Sequence, residues 1–397
     1  MKKATTKNEI AILSGRWITK LGNVIFDYIN SISLANINTQ NSVLIAIYQS
    51  SETVINLVMH LFSGVYADKT SHKKRMLIIT DLISGLICIA LSLFIHDSTI
   101  ATIIIIANCL LAMVNSLNSP LYKTIIREAI TRERIAKINS ISNAGAEVLT
   151  LSGPLIGLWI VNIVGVKGGL VFNGLTFILS ALLEALILVK SNDDKKSPSG
   201  SVLHDMYEGF CYVYSNKILF KLVIVIGLMN FFCAGFEVFI PYTDIIFNYR
   251  YRGIYASILV SQGIAGLVGS FVSVYISKIL QQKIKRIQLI SFLAGAALMS
   301  IVFIERFDYQ YIVLVPFFLV AFFITIYNIQ YMSYVQEIVD TMYIGRTFGL
   351  LKVISLLFVP LGAFVFSSIC STTGSLCFFI TGGGIFLVSF ISLFIFK

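Results

Sequence analysis

Charge is scarce in this sequence. Lysine, arginine, aspartate and glutamate together make up 13% of the 397 residues, while 57% are hydrophobic and the mean hydropathy is +0.86. A compact soluble globule of that length needs a larger polar surface, so that class is excluded. Paired or clustered cysteines are also lacking. Cys88, Cys109, Cys211, Cys233, Cys370 and Cys377 stand singly, mostly inside apolar runs, with neither metal-ligand spacing nor an extracellular pairing pattern. We read them as small core residues. His60, His72, His96 and His204 are equally isolated, so no metal site is expected. There is no Gly-x-x-x-x-Gly-Lys-Ser/Thr loop, which argues against ATP hydrolysis by this chain. No nucleophile–base constellation appears either, so neither an enzyme nor a bound cofactor is expected.

A formal net charge of +10 raises the question of nucleic acid. Such binding needs a basic face on a soluble domain, whereas these charges sit in short gaps between apolar runs. Orientation in a bilayer explains them better.

What the sequence does have is long apolar runs. A helix needs about 20 apolar residues to cross the hydrocarbon core. By that rule the chain divides into twelve spans, near 12–35, 42–66, 75–95, 99–122, 138–162, 168–190, 217–243, 253–280, 286–305, 309–336, 345–370 and 374–396. The N-terminal "MKKATTKNEI" is basic and polar, but a long apolar stretch follows it without a small-residue cleavage site. A retained first helix is expected. An even number of spans puts both termini on one side. Nearly all lysines and arginines fall in the loops of that side, the opposite loops holding only Lys167, Arg250, Arg252 and Arg306. The positive-inside rule then makes both termini cytoplasmic.

The longest polar stretch, at 190–217, begins as a flexible linker rich in Ser, Asp and Lys. Beyond it Leu203, Met206, Phe210 and Val213 recur at helical spacing, as in an amphipathic interfacial helix. The expected organisation is a six-helix half at 1–190, a cytoplasmic linker at 191–216 and a second six-helix half at 217–397. Two halves joined in this way suggest a duplicated transporter.

Between the second and third spans stands "GVYADKTSHKK". Gly64 permits close packing at the end of a span, Asp68 can cap or pair, and Lys69, Lys73 and Lys74 hold the turn inside. This stretch resembles the signature loop of the major facilitator superfamily, Gly-x-x-x-Asp-Arg/Lys-x-Gly-x-Arg/Lys-Arg/Lys, with Ser71 in place of the second glycine. The resemblance implies a cytoplasmic latch in which Asp68 meets the positive N-terminal end of the eleventh helix, here the turn at Gly345 and Arg346. The matching loop of the second half, "SKILQQKIKR", has the basic residues but no aspartate.

In the fifth span, "NAGAEVLTLSGPLIGLWI", Gly145, Gly153, Pro154 and Gly157 resemble the motif of the superfamily's antiporters, with Leu158 replacing its last glycine. Small residues allow close helix contact and a proline permits a bend. Further stretches, "GRWITKLGNVIFDY", "EGFCYVYSNKILF" and "NIQYMSYVQEIVDTMYIGRTFGLLKVISLLFVPLGAF", resemble the twelve-span drug:proton antiporters that include macrolide efflux proteins and enterobactin exporters. That resemblance implies an all-α membrane protein of the major facilitator fold, driven by a proton gradient.

Carboxylates embedded in a membrane are costly, at about 2.5–3.5 kcal/mol each on insertion scales, and are functional candidates by default. They are Asp27, Glu52, Glu147, Glu184 and Glu237, with Asp81 nearer the cytoplasmic end of the third span. Asp27 and Glu147 lead as proton carriers: Asp27 lies mid-span with Lys20 on the same helical face, and Glu147 lies in the antiporter-like helix. Glu52 and Glu237 follow, with contact to a cationic substrate as their alternative role. Phe231, Phe232, Phe236, Tyr327 and Tyr331, with Asn328 and Gln330, are the candidates to line an apolar cavity for a bulky amphipathic ligand.

The sequence therefore points to a monomeric bacterial plasma-membrane exporter of an amphipathic small molecule. Two rivals stand beside it: a transporter of a siderophore or other polar metabolite on the same fold, and a transport-inactive sensor or assembly partner.

Overall fold

The computed structural model describes residues 2–40, 42–69, 72–96, 98–188, 210–247, 253–280, 284–304, 310–339, 344–370, 372 and 374–396. Among these residues the regular structure is entirely helical. The first long helices are α1 (Lys2–Ile37), α2 (Val43–Lys69), α3 (Lys73–Ser92) and α4 (Ile100–Ala129). Then comes one stretch, Arg132–Ala185, broken at Gly165, whose φ of 64° belongs to the left-handed region. That break divides it into α5 (132–164) and α6 (166–185). Only glycine adopts such a φ without strain, and the chain uses it to reverse direction with no loop. After the break come α7 (Lys217–Phe239), α8 (Ile254–Leu280), α9 (Ile284–Met299), α10 (Leu314–Ile338), α11 (Ile344–Ile369) and α12 (Leu376–Ile395).

Eight helical stretches among the described residues are long and apolar enough to cross a membrane, and one of them, Lys137–Ala185, contains the break and so holds two of the expected spans. Inside hydrocarbon every backbone N–H and C=O must be satisfied within the helix, which is why apolar runs of this length take no other form. Large apolar side chains such as Trp159, Ile163, Leu182, Phe271 and Phe394 are exposed, as bilayer-facing surfaces require.

By contact the chain forms two compact units, one of residues 1–37 and 54–199, the other of residues 38–53 and 200–397. Their internal pairings correspond. In the first unit α1 packs on α5 and α6, and α3 on α6 and α4; in the second, α7 packs on α11 and α12, and α9 on α12 and α10. Such matched pairings are the mark of a structural repeat. They are also matched in detail. Gly85 of α3 lies against the Gly174 carbonyl of α6, and Gly295 of α9 against the Gly382 carbonyl of α12, so closely that a methyl group would come to 2.9 Å from each oxygen.

The first unit is tied at one end by Asn8. Its amide donates to the carbonyls of Ala129 (3.3 Å) and Leu188 (2.9 Å), while its oxygen accepts from Leu188 N (2.8 Å). These are the ends of α4 and α6, where helix carbonyls lack intrahelical partners. Beside it, Arg134 pairs with the buried Glu9 at 2.9 Å. Replacing Asn8→Ala strands buried polar groups on two helices, and thermal unfolding in detergent should register a loss of about 1–3 kcal/mol.

All six cysteines are free thiols; Cys88, Cys370 and Cys377 are buried as expected, whereas Cys211 is exposed. Most of the linker and amphipathic segment anticipated at 191–216 lies outside the described residues.

Candidate functional site

Each unit holds its own cavity. In the first unit a cavity of about 650 Å³ is lined by Arg16, Thr19, Lys20 and Asn23 of α1, Asn115, Asn118 and Tyr122 of α4, and Asn139 and Asn143 of α5. On every one of these helices the lining residues recur three or four apart, so each helix turns one polar face inward. An asparagine stripe at that spacing is a signal present in the sequence, and it went unread there.

Behind the cavity wall lie two buried carboxylates, Asp81 of α3 and Glu184 of α6, each at most 1% exposed. Asp81 Oδ1 accepts from Asn118 Nδ2 at 2.8 Å, and Asn118 Oδ1 in turn accepts from the Thr80 hydroxyl at 2.6 Å. Glu184 Oε1 accepts from the Tyr122 hydroxyl at 2.9 Å and from Ser180 Oγ at 3.5 Å. Ser180 is also a polar neighbour of Asp81, as is Thr19. The hydrogen-bond partners of both carboxylates, Asn118 and Tyr122, thus stand on the cavity wall.

The second unit's cavity, about 320 Å³, has a different character. Met229, Cys233, Phe236, Val320, Ile324 and Ile385 give it apolar walls, and Asn230, Gln262, Asn328, Tyr327 and Glu237 supply the polar groups. Aromatic packing stiffens it: Phe236 stacks on Phe317 at a centroid distance of 6.1 Å and meets Phe378 edge-on at 5.9 Å.

Of the residues singled out from the sequence, Phe236, Glu237, Tyr327 and Asn328 come together in this second cavity. Phe232 and Tyr331 do not line it. Phe232 lies between Phe231 and Phe366 with its ring against Gly384, while Tyr331 is fully buried and donates to the Leu222 carbonyl at 2.7 Å. Gln330 is likewise turned away, donating to the Ser273 carbonyl at 2.9 Å. Asp27 on α1 and Glu147 on α5 are exposed, Glu52 on α2 is half-buried, and none of the three lines either cavity.

The antiporter-like glycines have a clear packing role. Gly145, Gly153 and Gly157 receive Trp17, Val24 and Tyr28 of α1 in turn; a Cβ at Gly157 would stand 2.8 Å from the Tyr28 ring. Trp17 Nε1 also donates to the Ser142 carbonyl at 3.2 Å. Pro154 lies inside α5, which runs through it without a break.

The signature-loop residues Gly64, Asp68 and Lys69 form the last turns of α2, so helix continues into the expected turn, and Lys73 and Lys74 open α3. Lys74 Nζ donates to the Ala185 carbonyl at the end of α6, at 2.7 Å. Gly345 and Arg346 are in the first turn of α11. The side chains of Asp68, Lys69 and Arg346, and with them the expected latch, lie outside the described residues.

A family model described as Major Facilitator Superfamily matches residues 17–363. The chain belongs to that superfamily. This major facilitator is also 23% identical, over 172 residues, to an uncharacterized MFS-type transporter, YkuC, of Bacillus subtilis (strain 168). The match covers 40% of this chain and 39% of that relative. Over 98% of its length it superposes on the nucleoside transporter NupG (99% of that chain, 15% identity, TM-score 0.74). A bacterial homologue of the iron transporter ferroportin in its inward-facing state matches equally well (98% of each chain, 14% identity, TM-score 0.74). So does a bacterial homologue of the human lysosomal transporter Spinster, with 98% of each chain, 13% identity and a TM-score of 0.75. At such identities the likeness carries the fold, the twelve-helix major facilitator fold in two six-helix halves, and the protein is a multi-pass membrane transporter of this family.

Proposed function

We propose that this transporter exports an amphipathic small molecule of the drug type, such as a macrolide or lipophilic cation, by antiport with protons. It works as a monomer by alternating access in a bacterial plasma membrane, with both termini cytoplasmic. The halves are residues 1–190 and 217–397, joined by the polar linker. The observation that carries the reading is Glu237. It is the one carboxylate among the described residues lining a cavity whose apolar walls are methionine, phenylalanine and aliphatic side chains and whose other polar groups, such as Asn230, Gln262, Tyr327 and Asn328, are neutral. An apolar cavity with few, placed polar groups suits a bulky amphipathic ligand, and one embedded negative charge favours a cationic one.

A polar metabolite is the second reading, favoured by the arginine, lysine and asparagines of the first unit's cavity. Sealed vesicles with an imposed pH gradient and a panel of macrolides, lipophilic cations and siderophores separate the two. Antiport predicts proton flux opposite to substrate movement. The variant Glu237→Gln should slow lipophilic-cation transport about tenfold or more, the equivalent of about 1.4 kcal/mol of lost charge contact. Asp27→Asn and Glu147→Gln, run alongside, test the two leading carboxylates of the sequence as proton carriers. Gradient-driven movement of siderophores alone would favour the second reading, and no gradient-driven movement of any panel member would remove both.

A further inference from the structure

The two buried carboxylates of the first unit are the feature that neither helix packing nor substrate binding explains. The second unit shows what packing alone requires at this place. Asp81 precedes Gly85 by one helical turn, as Ser291 precedes Gly295; Glu184 follows Gly174 by ten residues, as Ser392 follows Gly382. So where α3 and α6 bring two carboxylates, the matching helices α9 and α12 bring two buried serines. Ser291 there hydrogen-bonds to Ser389 at 2.8 Å, and Ser392 donates to the Ser389 carbonyl. Neutral hydroxyls therefore suffice to join this helix pair, and two carboxylates are a far costlier choice.

Geometry brings the pair together. Side chains tilt toward the N-terminus of their own helix. Since α3 and α6 are antiparallel neighbours in this fold, Asp81 and Glu184 lean toward each other, with Ser180 between them and each within the other's electrostatic reach. Each also keeps one buried oxygen, Asp81 Oδ2 and Glu184 Oε2, without a hydrogen-bond partner. Two adjacent buried carboxylates resist ionising together; they titrate as a pair.

We propose that Asp81 and Glu184 share one proton and form a proton-binding site of the first unit, exchanging with its asparagine-lined cavity beside Tyr122. Loading makes one O–H bond on a carboxylate oxygen; unloading breaks it and returns the proton to cavity water. Among the described residues the titratable or charged groups facing the pair are Tyr122 from α4 and Arg16 from α1, close enough to act on Tyr122. Lys20 stands on the cavity wall, and Lys74 is held on the Ala185 carbonyl. The singly protonated pair has a net charge of −1, and release of its proton is eased by the cations of the cavity. Its role in transport rests on the antiport reading above; the shared proton does not.

Infrared spectroscopy of the purified protein in nanodiscs, in H2O and D2O at neutral pH, tests the site directly. The wild type should show a deuterium-sensitive protonated-carboxyl band. Glu184→Gln should abolish it, and Asp81→Asn, which takes away the neighbouring carboxylate, should move the pH at which the band disappears. A wild type without such a band, a spectrum that loses no carboxyl band in Glu184→Gln, or a band whose pH dependence is unchanged in Asp81→Asn overturns the sharing. Tyr122→Phe leaves both carboxyls in place and should shift the band without removing it, which guards against loss by misfolding. In vesicles, Glu184→Gln should lose at least nine-tenths of gradient-driven accumulation. If accumulation survives, the pair does not couple transport. If the wild type itself shows none, the antiport reading fails while the infrared result stands.

Discussion

A single methyl group at Gly362 should destabilise the second unit more than one at Gly145 destabilises the first. In Gly362→Ala the new Cβ would fall on the backbone carbonyl of Phe231, so α11 and α7 must move apart as whole helices. In Gly145→Ala the obstacle is the Trp17 ring, which has side-chain torsions to adjust. Membrane helices associate by close packing rather than by a hydrophobic drive, so separating two backbones forfeits most of what holds them. Overpacking costs about 1–3 kcal/mol, with Gly362→Ala expected at or above the upper end and Gly145→Ala in the middle. Thermal unfolding in a mild detergent checks the order. At Gly145 a second variant isolates the cause: Trp17→Phe, combined with Gly145→Ala, should recover stability relative to the sum of the two single changes, since the residues are in contact. Equal losses at both glycines, or strict additivity at the second pair, would mean that these contacts do not set the helix spacing.

Much of the fold was legible because a bilayer imposes a simple count. Apolar runs of about 20 residues located every long helix. Their ends were not legible, since α1 begins at Lys2, α4 continues to Ala129 and α5 begins at Arg132, all beyond the apolar runs. Hydropathy reports only the part inside hydrocarbon, whereas backbone hydrogen bonding carries a helix on into polar sequence. The same effect put Asp68 within α2 rather than in a turn. In the second unit's cavity the helix face was legible and the depth was not. Phe236 and Tyr327 line it; Phe232 and Tyr331, one turn away on the same faces, are taken up by Gly384 and by the Leu222 carbonyl. The Asp81–Glu184 pair was hidden for another reason. Each residue was visible as an embedded carboxylate, but their meeting depends on the pairing of the third and sixth helices, which no local pattern encodes.

Asn118 is the residue through which that pair and the cavity depend on each other, and its replacement should be costly in a diagnostic way. Its amide donates to Asp81 Oδ1 at 2.8 Å and its oxygen accepts from Thr80 at 2.6 Å, all three side chains being buried. Asn118→Leu, of similar size, removes both bonds and leaves a carboxylate oxygen with no donor. Hydrogen bonds to charged groups contribute about 1.5–3 kcal/mol, and a stranded buried group adds to that, so a loss of about 2–4 kcal/mol is expected. Asn118→Asp has nearly the same shape and makes a sharper test. At alkaline pH it sets an acceptor against Asp81 and should destabilise at least as much as leucine. In acid the new carboxyl holds a proton and can donate again, so stability should return as the pH falls, while Asn118→Leu stays low throughout. Unfolding of the two variants followed across the pH range reads this directly. Parallel curves would show that Asn118 serves only to fill space; convergence of Asn118→Asp on the wild type in acid would show that the donated hydrogen bond is what the carboxylate pair requires.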